Sequence, residues 1–281
     1  MCILLLAGLL FGNIDTTFTK TDEYSGLKGA VSITYDGKGN IYVLDGVTSE
    51  IIKLKEDLTE IKRTGKKGWD NGQFDNAVSI DATSGFDVYV SDLNNSRIQR
   101  FDINLGFISS LITNDESIEE KFKINRPSGS VIVNAKDLYV VDSDNPKIVI
   151  FKEGVTPYTY FGSFQSINGS LTKPGKIIKD QNNFIYIIDY SRKGIMRYDN
   201  YGTFLGLLEI DEIKSVSVSN NILYILTGNS VQIYDTRANA FKIFLELPPE
   251  MKNRKFTDFL VINNKKIYFL EKTKLTTYII N

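Results

Sequence analysis

The chain has 281 residues, a net charge of −1 and a pI near 5.7, so it carries no overall basic field that would gather phosphate backbones. It contains no histidine, which excludes Ser-His-Asp and Cys-His catalysis and His-ligated metals. The single cysteine, Cys2, excludes an intramolecular disulfide and a thiolate zinc cluster.

The chain opens on an apolar run, Ile3 to Phe11, which is too short to span a bilayer as a helix. Such a run is typical of the core of a signal peptide, although no Lys or Arg precedes it. We predict a signal peptide or its remnant over residues 1–13 and a single domain over residues 14–281; the alternative is a buried first strand. Export would place the protein in the periplasm or on the surface of a bacterial cell, with no transmembrane span in the mature chain.

A short apolar segment with Tyr in its second position recurs six times along the chain. The tyrosines, which follow one another at intervals of 38 to 50 residues, are Tyr42, Tyr89, Tyr139, Tyr186, Tyr224 and Tyr268. This period fits one four-stranded blade per repeat rather than a pair of helices. The sequence therefore predicts an all-β protein, a six-bladed β-propeller of four-stranded antiparallel blades.

Polarity predicts the order of strands within each repeat. A run rich in β-branched residues, such as Ala30–Ile33, precedes each Tyr segment and is expected to be the innermost strand. The Tyr segments are nearly unbroken apolar runs, as expected where neighbouring blades cover both faces. The sixth repeat lacks a fourth strand, and Asp15–Lys20 is left over before the first repeat. We expect this N-terminal strand to close the last blade beside Thr276–Ile280.

The second and fourth repeats carry the motifs of a known family. Val88–Asp92 (VYVSD) followed by Asn95–Asp102 (NSRIQRFD) resembles an NHL repeat, and Ile185–Asp189 with Ile195–Asp199 repeats the pattern. The fifth and sixth repeats depart from it where their second strands end. The resemblance to NHL-repeat propellers covers about residues 15–281, and it implies the fold without implying one activity.

Four second strands end in an aspartate, and these residues are Asp45, Asp92, Asp142 and Asp189. A ring of carboxylates could suggest a bound cation. Short polar side chains at strand ends more commonly accept hydrogen bonds from the following turn. We therefore predict structural turn caps, with no metal site, no cofactor and no catalytic residue.

Long connections between blades should meet on one face, together with the turns between second and third strands. Aromatic and Arg side chains there are candidates for partner binding. The candidates are Trp69, Phe122, Arg126, Tyr190 and Arg192. Phe74 is expected to plug its loop into the core, and for Trp69 the same role is an equal alternative. Residues 114–122 could form one or two helical turns, with Glu119 and Lys123 four residues apart.

These observations favour a monomeric, non-catalytic binding or scaffold protein of the cell envelope that recognises a protein or a glycan. The family resemblance implies an alternative, a gluconolactonase-like hydrolase that holds calcium with carboxylate and amide oxygens. Related propeller lyases and paraoxonases depend on histidine and are disfavoured. RNA binding, found in some NHL proteins, needs a basic face. Acidic residues near the loop lysines reduce the positive charge of this face, so RNA binding is disfavoured.

Overall fold

The computed structural model describes residues 18–252 and 254–280 and consists of six four-stranded antiparallel sheets. The predicted signal peptide and Cys2 lie outside the described residues. The first strand and blade 1 are β1 (Phe18–Tyr24), β2 (Ala30–Tyr35), β3 (Asn40–Asp45), β4 (Glu50–Lys55) and β5 (Glu60–Thr64). Blade 2 consists of β6 (Ala77–Asp81), β7 (Asp87–Asp92), β8 (Arg97–Asp102) and β9 (Phe107–Ile112).

A short 3-10 helix, Glu120–Phe122, precedes blade 3. Blade 3 consists of β10 (Pro127–Val133), β11 (Asp137–Asp142), β12 (Lys147–Lys152) and β13 (Thr156–Phe161). Blade 4 consists of β14 (Pro174–Lys179), β15 (Ile185–Asp189), β16 (Gly194–Tyr198) and β17 (Phe204–Glu209). Blade 5 consists of β18 (Ser215–Ser219), β19 (Ile222–Leu226), β20 (Ser230–Asp235) and β21 (Ala240–Glu246). The last strands are β22 (Phe256–Ile262), β23 (Lys266–Glu271) and β24 (Leu275–Ile280).

The sixth blade is closed by the N-terminal strand, as predicted. Its strand order is β1-β24-β23-β22, and β1 pairs antiparallel with β24 from Phe18 opposite Ile280 to Tyr24 opposite Leu275. The Phe18 ring packs on Phe269 of β23. This pairing covers the outer edge of β24 and joins the two ends of the described chain in one sheet.

The hydrophobic core is a ring of six clusters, each lying between two neighbouring blades. The second strands are buried along nearly their whole length, because blades cover them on both faces. All six repeat tyrosines are buried, none with more than 8% of its surface exposed. The repeat that the sequence shows is therefore a packing repeat, with one Tyr per blade.

Three of these tyrosines also join one blade to the next. Their hydroxyls donate to backbone carbonyls in the turn between the third and fourth strands of the following blade. The pairs are Tyr42 to Ile103 at 2.9 Å, Tyr139 to Asn200 at 2.6 Å and Tyr268 to Glu56 at 3.0 Å. Each bond satisfies a polar hydroxyl inside an apolar interface, where an unpaired one would be costly.

The innermost strands surround a central channel, and hydrogen bonds from side chains join neighbouring innermost strands. Each innermost strand has a backbone edge that faces the next blade and lacks a ladder partner. Side-chain oxygens of one blade accept hydrogen bonds from backbone N–H groups of the next blade. Four such bonds join Ala82 to Thr34 (3.2 Å), Ile132 to Asp81 (3.2 Å), Val261 to Ser217 (3.0 Å) and Ile33 to Asp258 (3.0 Å).

The propeller has two unlike faces. The loop face carries the connections between blades and the turns between second and third strands; the turn face carries the remaining hairpin turns. On the loop face the two kinds of segment bond to each other, as where the Tyr190 N–H donates to Lys173 O at 3.0 Å. Within residues 18–252 and 254–280, no helix has the length and apolar character needed to cross a membrane.

Candidate functional site

The strand-end aspartates hold the loop face together. Asp189 accepts the N–H groups of Ser191 and Arg192, both at 3.1 Å, in the turn that follows it. It also accepts those of Thr172 at 2.6 Å and Lys173 at 3.2 Å, which belong to the preceding inter-blade loop. One carboxylate thus fixes two loop segments, whereas the sequence suggested only the turn.

Asp45 repeats this arrangement in blade 1. It accepts the N–H groups of Val47 and Thr48 downstream and those of Lys28 and Gly29 upstream. Asp142 caps its own turn through Asp144 N–H at 3.0 Å. These carboxylates point at backbone donors of their own loops, which is the role of a turn cap.

Asp92 works through a buried arginine. Arg97 Nε lies 2.9 Å from Asp92 Oδ2, and both side chains are almost fully buried. The guanidinium also donates to three backbone oxygens of the loop over residues 65–76, those of Trp69 (2.7 Å), Asp70 (3.1 Å) and Gln73 (2.8 Å). Burial raises the pKa of Asp92, partly offset by hydrogen bonds from Asn95 and Arg97. The planar guanidinium can serve several acceptors at once, so one side chain fixes the whole loop.

Trp69 projects from this fixed loop into solvent. Its side chain is 77% exposed, although its carbonyl is held by Arg97. Phe74 on the same loop is fully buried and packs on Phe101, with ring centroids 5.9 Å apart. Trp69 is therefore exposed rather than buried under its loop. Phe74 anchors the loop in the core, as expected.

Phe122 lies under the loop face rather than on it. It is only 7% exposed and meets Tyr160 edge-to-face, with centroids 6.1 Å apart. The helical segment is limited to the 3-10 turn Glu120–Phe122, and Lys123 pairs with Glu120 instead of Glu119. The turn orients the ring toward blade 3, so Phe122 stabilises the loop and offers little surface to a partner. Arg126, by contrast, is exposed.

Tyr190 and Arg192 lie in the turn that follows the second strand of blade 4, and Tyr190 lines the channel. Arg192 donates to the carbonyl and hydroxyl oxygens of Ser170, at 2.8 and 2.7 Å, and so holds the loop over residues 163–173. The Tyr190 ring covers Gly175, where a Cβ would come within 2.5 Å of the ring. Burial and the nearby Asp258 carboxylate raise the pKa of Tyr190.

The channel narrows at an ion pair that the sequence did not indicate. Lys176 of blade 4 lies with Nζ 2.6 Å from Asp258 Oδ1 of blade 6. Ser215 of blade 5 donates to the same oxygen, so one carboxylate joins three blades. Asp258 Oδ2 accepts Ile33 N–H at 3.0 Å from blade 1. A signal was present, since Lys176 and Asp258 are charged residues on innermost strands that are otherwise uncharged or apolar at these positions.

Two cavities meet at this narrow point, and Lys176 lines both. The smaller, about 180 Å³, opens on the loop face and includes Tyr190, Ser215 and Asp258. The larger, about 530 Å³, opens on the turn face. The channel thus offers two adjoining cavities of different size and lining, which share Lys176 and Ser79.

The channel residues do not fit a calcium ion. Calcium takes about six to eight oxygen ligands. Asp258 is the carboxylate at the loop-face cavity, and its oxygens are already occupied by Lys176, Ser215 and backbone N–H groups. Over the described ranges, no three Asp, Glu or Cys side chains gather in a group that could hold a metal. The site therefore offers hydrogen bonding and charge but no assembled metal centre.

No protein-family model and no curated protein sequence matches this chain. Solved structures do match. A catalytically inactive variant of virginiamycin B lyase from Staphylococcus aureus, determined with quinupristin, matches with a TM-score of 0.67 over 95% of this chain and 100% of the lyase, at 12% identity. A gluconolactonase from Xanthomonas campestris matches with a TM-score of 0.68 over 92% of this chain and 88% of that enzyme, at 8% identity.

A protein of unknown function from Bacteroides thetaiotaomicron is also similar, with a TM-score of 0.66 over 95% of this chain and 76% of that protein, at 11% identity. Two of these three structures are enzymes. At identities this low, the likeness establishes the fold and not the activity. The chain is a six-bladed β-propeller whose first described strand completes its last blade.

Proposed function

We propose that this chain is a non-catalytic binding module of NHL type that docks a protein partner on its loop face. One observation carries the proposal. Trp69 exposes 77% of its surface while its backbone is held by the buried Arg97. The buried pair of Arg97 and Asp92 thus fixes the loop backbone from which the exposed indole projects.

An aromatic side chain on a fixed loop is suited to recognition. Trp and Arg are enriched among the residues that contribute most to binding at protein interfaces. A loop whose backbone is already ordered loses little conformational entropy when a partner covers it. The rigid loop therefore favours Trp69 as an anchor for a partner's apolar pocket.

Other exposed residues extend the surface around the loop face. Phe164 and Ile167, in the loop between blades 3 and 4, are 76% and 99% exposed. Arg126, Tyr190 and Arg192 are exposed on the same face. A partner with apolar pockets and scattered carboxylates would complement this mixture.

Export to the cell envelope belongs to the same proposal. It is supported by the apolar run Ile3 to Phe11. The partner would then be an envelope or extracellular protein. The likeness in fold favours a gluconolactonase-like activity as the alternative. The carboxylate oxygens of Asp258 already accept hydrogen bonds from Ser215 and Ile33, which argues against a calcium site there.

Site-specific photo-crosslinking in cells that naturally make the protein tests the proposal. The photoreactive residue p-benzoylphenylalanine would replace Trp69 on the loop face and, as a control, Tyr201, which is 81% exposed on the turn face. We expect one dominant protein adduct from position 69 and none from position 201. No adduct at position 69, or the same adducts at both positions, would contradict the proposal. An adduct that yields glycan and no partner peptides in mass spectrometry would identify a glycan partner and overturn docking of a protein.

A further inference from the structure

The larger channel cavity lies on the face opposite the proposed partner site and is of the size that small ligands occupy. Its volume of about 530 Å³ is within the range of roughly 300–1,000 Å³ usual for ligand pockets. It is bounded by the ends of the innermost strands and the turns that follow them. At its inner end it borders the loop-face cavity, with which it shares Lys176 and Ser79.

Apolar side chains form much of the cavity wall. Tyr35, Ile178, Val218 and Leu260 each line it and are half-buried, so part of their surface faces the cavity. They come from four different blades, which places apolar surface on several sides. Such a wall favours a ligand with an apolar body, because covering this surface removes it from water.

The carboxylates that line the cavity are already satisfied by the protein. Asp81 accepts Thr83 N–H at 3.1 Å and Ile132 N–H at 3.2 Å, and burial raises its pKa. Asp180 accepts Asn182 N–H at 2.9 Å and Phe184 N–H at 3.0 Å. Neither carboxylate has a free role in holding a cationic ligand.

Lys179 is the charged group with spare hydrogen-bonding capacity. It lines the cavity, is partly exposed and interacts electrostatically with Asp81, but within the described part of the chain it makes no hydrogen bond and no ion pair within 4.0 Å. An ammonium group has three donors. A ligand acid group at Lys179 would gain charge-assisted hydrogen bonds beside an apolar wall.

We propose that the turn-face cavity binds a small amphipathic anion, with its apolar body between Tyr35, Ile178, Val218 and Leu260 and its acid group on Lys179. This site is separate from the loop face, so it gives the propeller a second, small-molecule specificity.

Binding of two matched fluorescent probes tests this proposal. The anion 8-anilinonaphthalene-1-sulfonate and the uncharged N-phenyl-1-naphthylamine share an aromatic body and differ in the acid group. We expect both to bind the intact protein at one saturable site. Lys179→Gln should weaken binding of the sulfonate about tenfold and leave the uncharged probe unchanged. Lys136→Gln is the matched control, because Lys136 is exposed on the same face outside the cavity.

A blocking variant makes the location explicit. Val218→Trp should fill the cavity and abolish saturable binding of both probes, with circular dichroism used to check that the fold is retained. Binding that Lys179→Gln leaves unchanged would overturn the proposal, as would the absence of saturable binding to the unmodified protein. Equal weakening by Lys136→Gln would show nonspecific attraction to the face and would also overturn it.

Discussion

Lys176 and Asp258 form an ion pair across the channel, 2.6 Å apart, between two blades that are not neighbours in the ring. Blade 5 lies between them and contributes Ser215 to the same carboxylate. Adjacent blades pack through apolar clusters, whereas this contact joins blades 4, 5 and 6 at the axis. The pair therefore ties three successive blades together at the axis, and Asp258 also bonds Ile33 of blade 1 across the closure of the ring.

Removing one partner of this pair should destabilise the ring. Asp258→Ala leaves the Lys176 ammonium and the Ile33 N–H without an acceptor, and we expect the free energy of unfolding in urea to fall by about 3 kcal/mol. The double variant Lys176→Met with Asp258→Leu should recover much of this loss, because neither charge remains. Glu246→Gln, which removes an exposed ion pair with Lys252, is the control and should change stability by less than about 1 kcal/mol. Equal stability of Asp258→Ala and the intact protein would contradict this role.

The tyrosine hydroxyls that bond to the next blade should contribute measurably to the free energy of unfolding. Tyr139→Phe leaves the Asn200 carbonyl without its donor, and we expect a loss of about 1–2 kcal/mol in urea unfolding. Tyr224→Phe is a matched control, since Tyr224 occupies the same strand position and its hydroxyl has no hydrogen-bond partner among the described residues. Equal losses in the two variants would show that the hydroxyl bond is not the cause.

Asp189 should control the order of two loop segments together. Asp189→Ala removes an acceptor shared by four backbone N–H groups, and we expect a loss of about 2–3 kcal/mol. Hydrogen exchange measured by mass spectrometry should speed up in both residues 172–173 and residues 191–192. Faster exchange confined to residues 191–192 would mean that the carboxylate caps only its own turn.

Acid should weaken the contact between the closing strand and blade 1. Hydrogen bonds from Arg63 and Tyr24 lower the pKa of Glu60 from 4.5 to about 2. Because the folded pKa is below the unfolded one, this stabilisation is fully present above about pH 4.5 and is lost as the pH falls toward 2. The group is partly exposed, so we expect less than about 1 kcal/mol.

Glu60→Gln supplies the comparison for this pH effect. The difference in stability between this variant and the intact protein, measured in urea, should be present at pH 6 and shrink by pH 3. A difference that stays constant over this range would show that the ionisation of Glu60 does not support the contact.

The sequence was sufficient for the fold because its strongest signals are local. Each repeat carries its own Tyr segment and turn residues, and the closing strand followed from counting strands. The turn-cap role of Asp189 was likewise visible from its position at a strand end. Its second pair of bonds, to residues 172 and 173, was not, because it depends on where the preceding loop returns in space.

The channel could not be assembled from the sequence in the same way. Lys176 and Asp258 are far apart in the chain, and no spacing rule connects residues of blades 4 and 6. The burial of Phe122 was missed for a related reason. A short loop with mixed polarity has no periodicity that would fix which side chain points inward, so tertiary packing decides.

The central claim is tested most directly by measuring how tightly the partner captured at position 69 binds the unmodified chain and two purified variants of it. Titration calorimetry would compare the unmodified chain with Trp69→Ala and with Tyr201→Ala, the exposed aromatic control on the turn face. We predict that Trp69→Ala weakens binding by about thirtyfold or more and that Tyr201→Ala leaves it unchanged. Unchanged affinity in Trp69→Ala, or a comparable loss in Tyr201→Ala, would contradict recognition through the loop face.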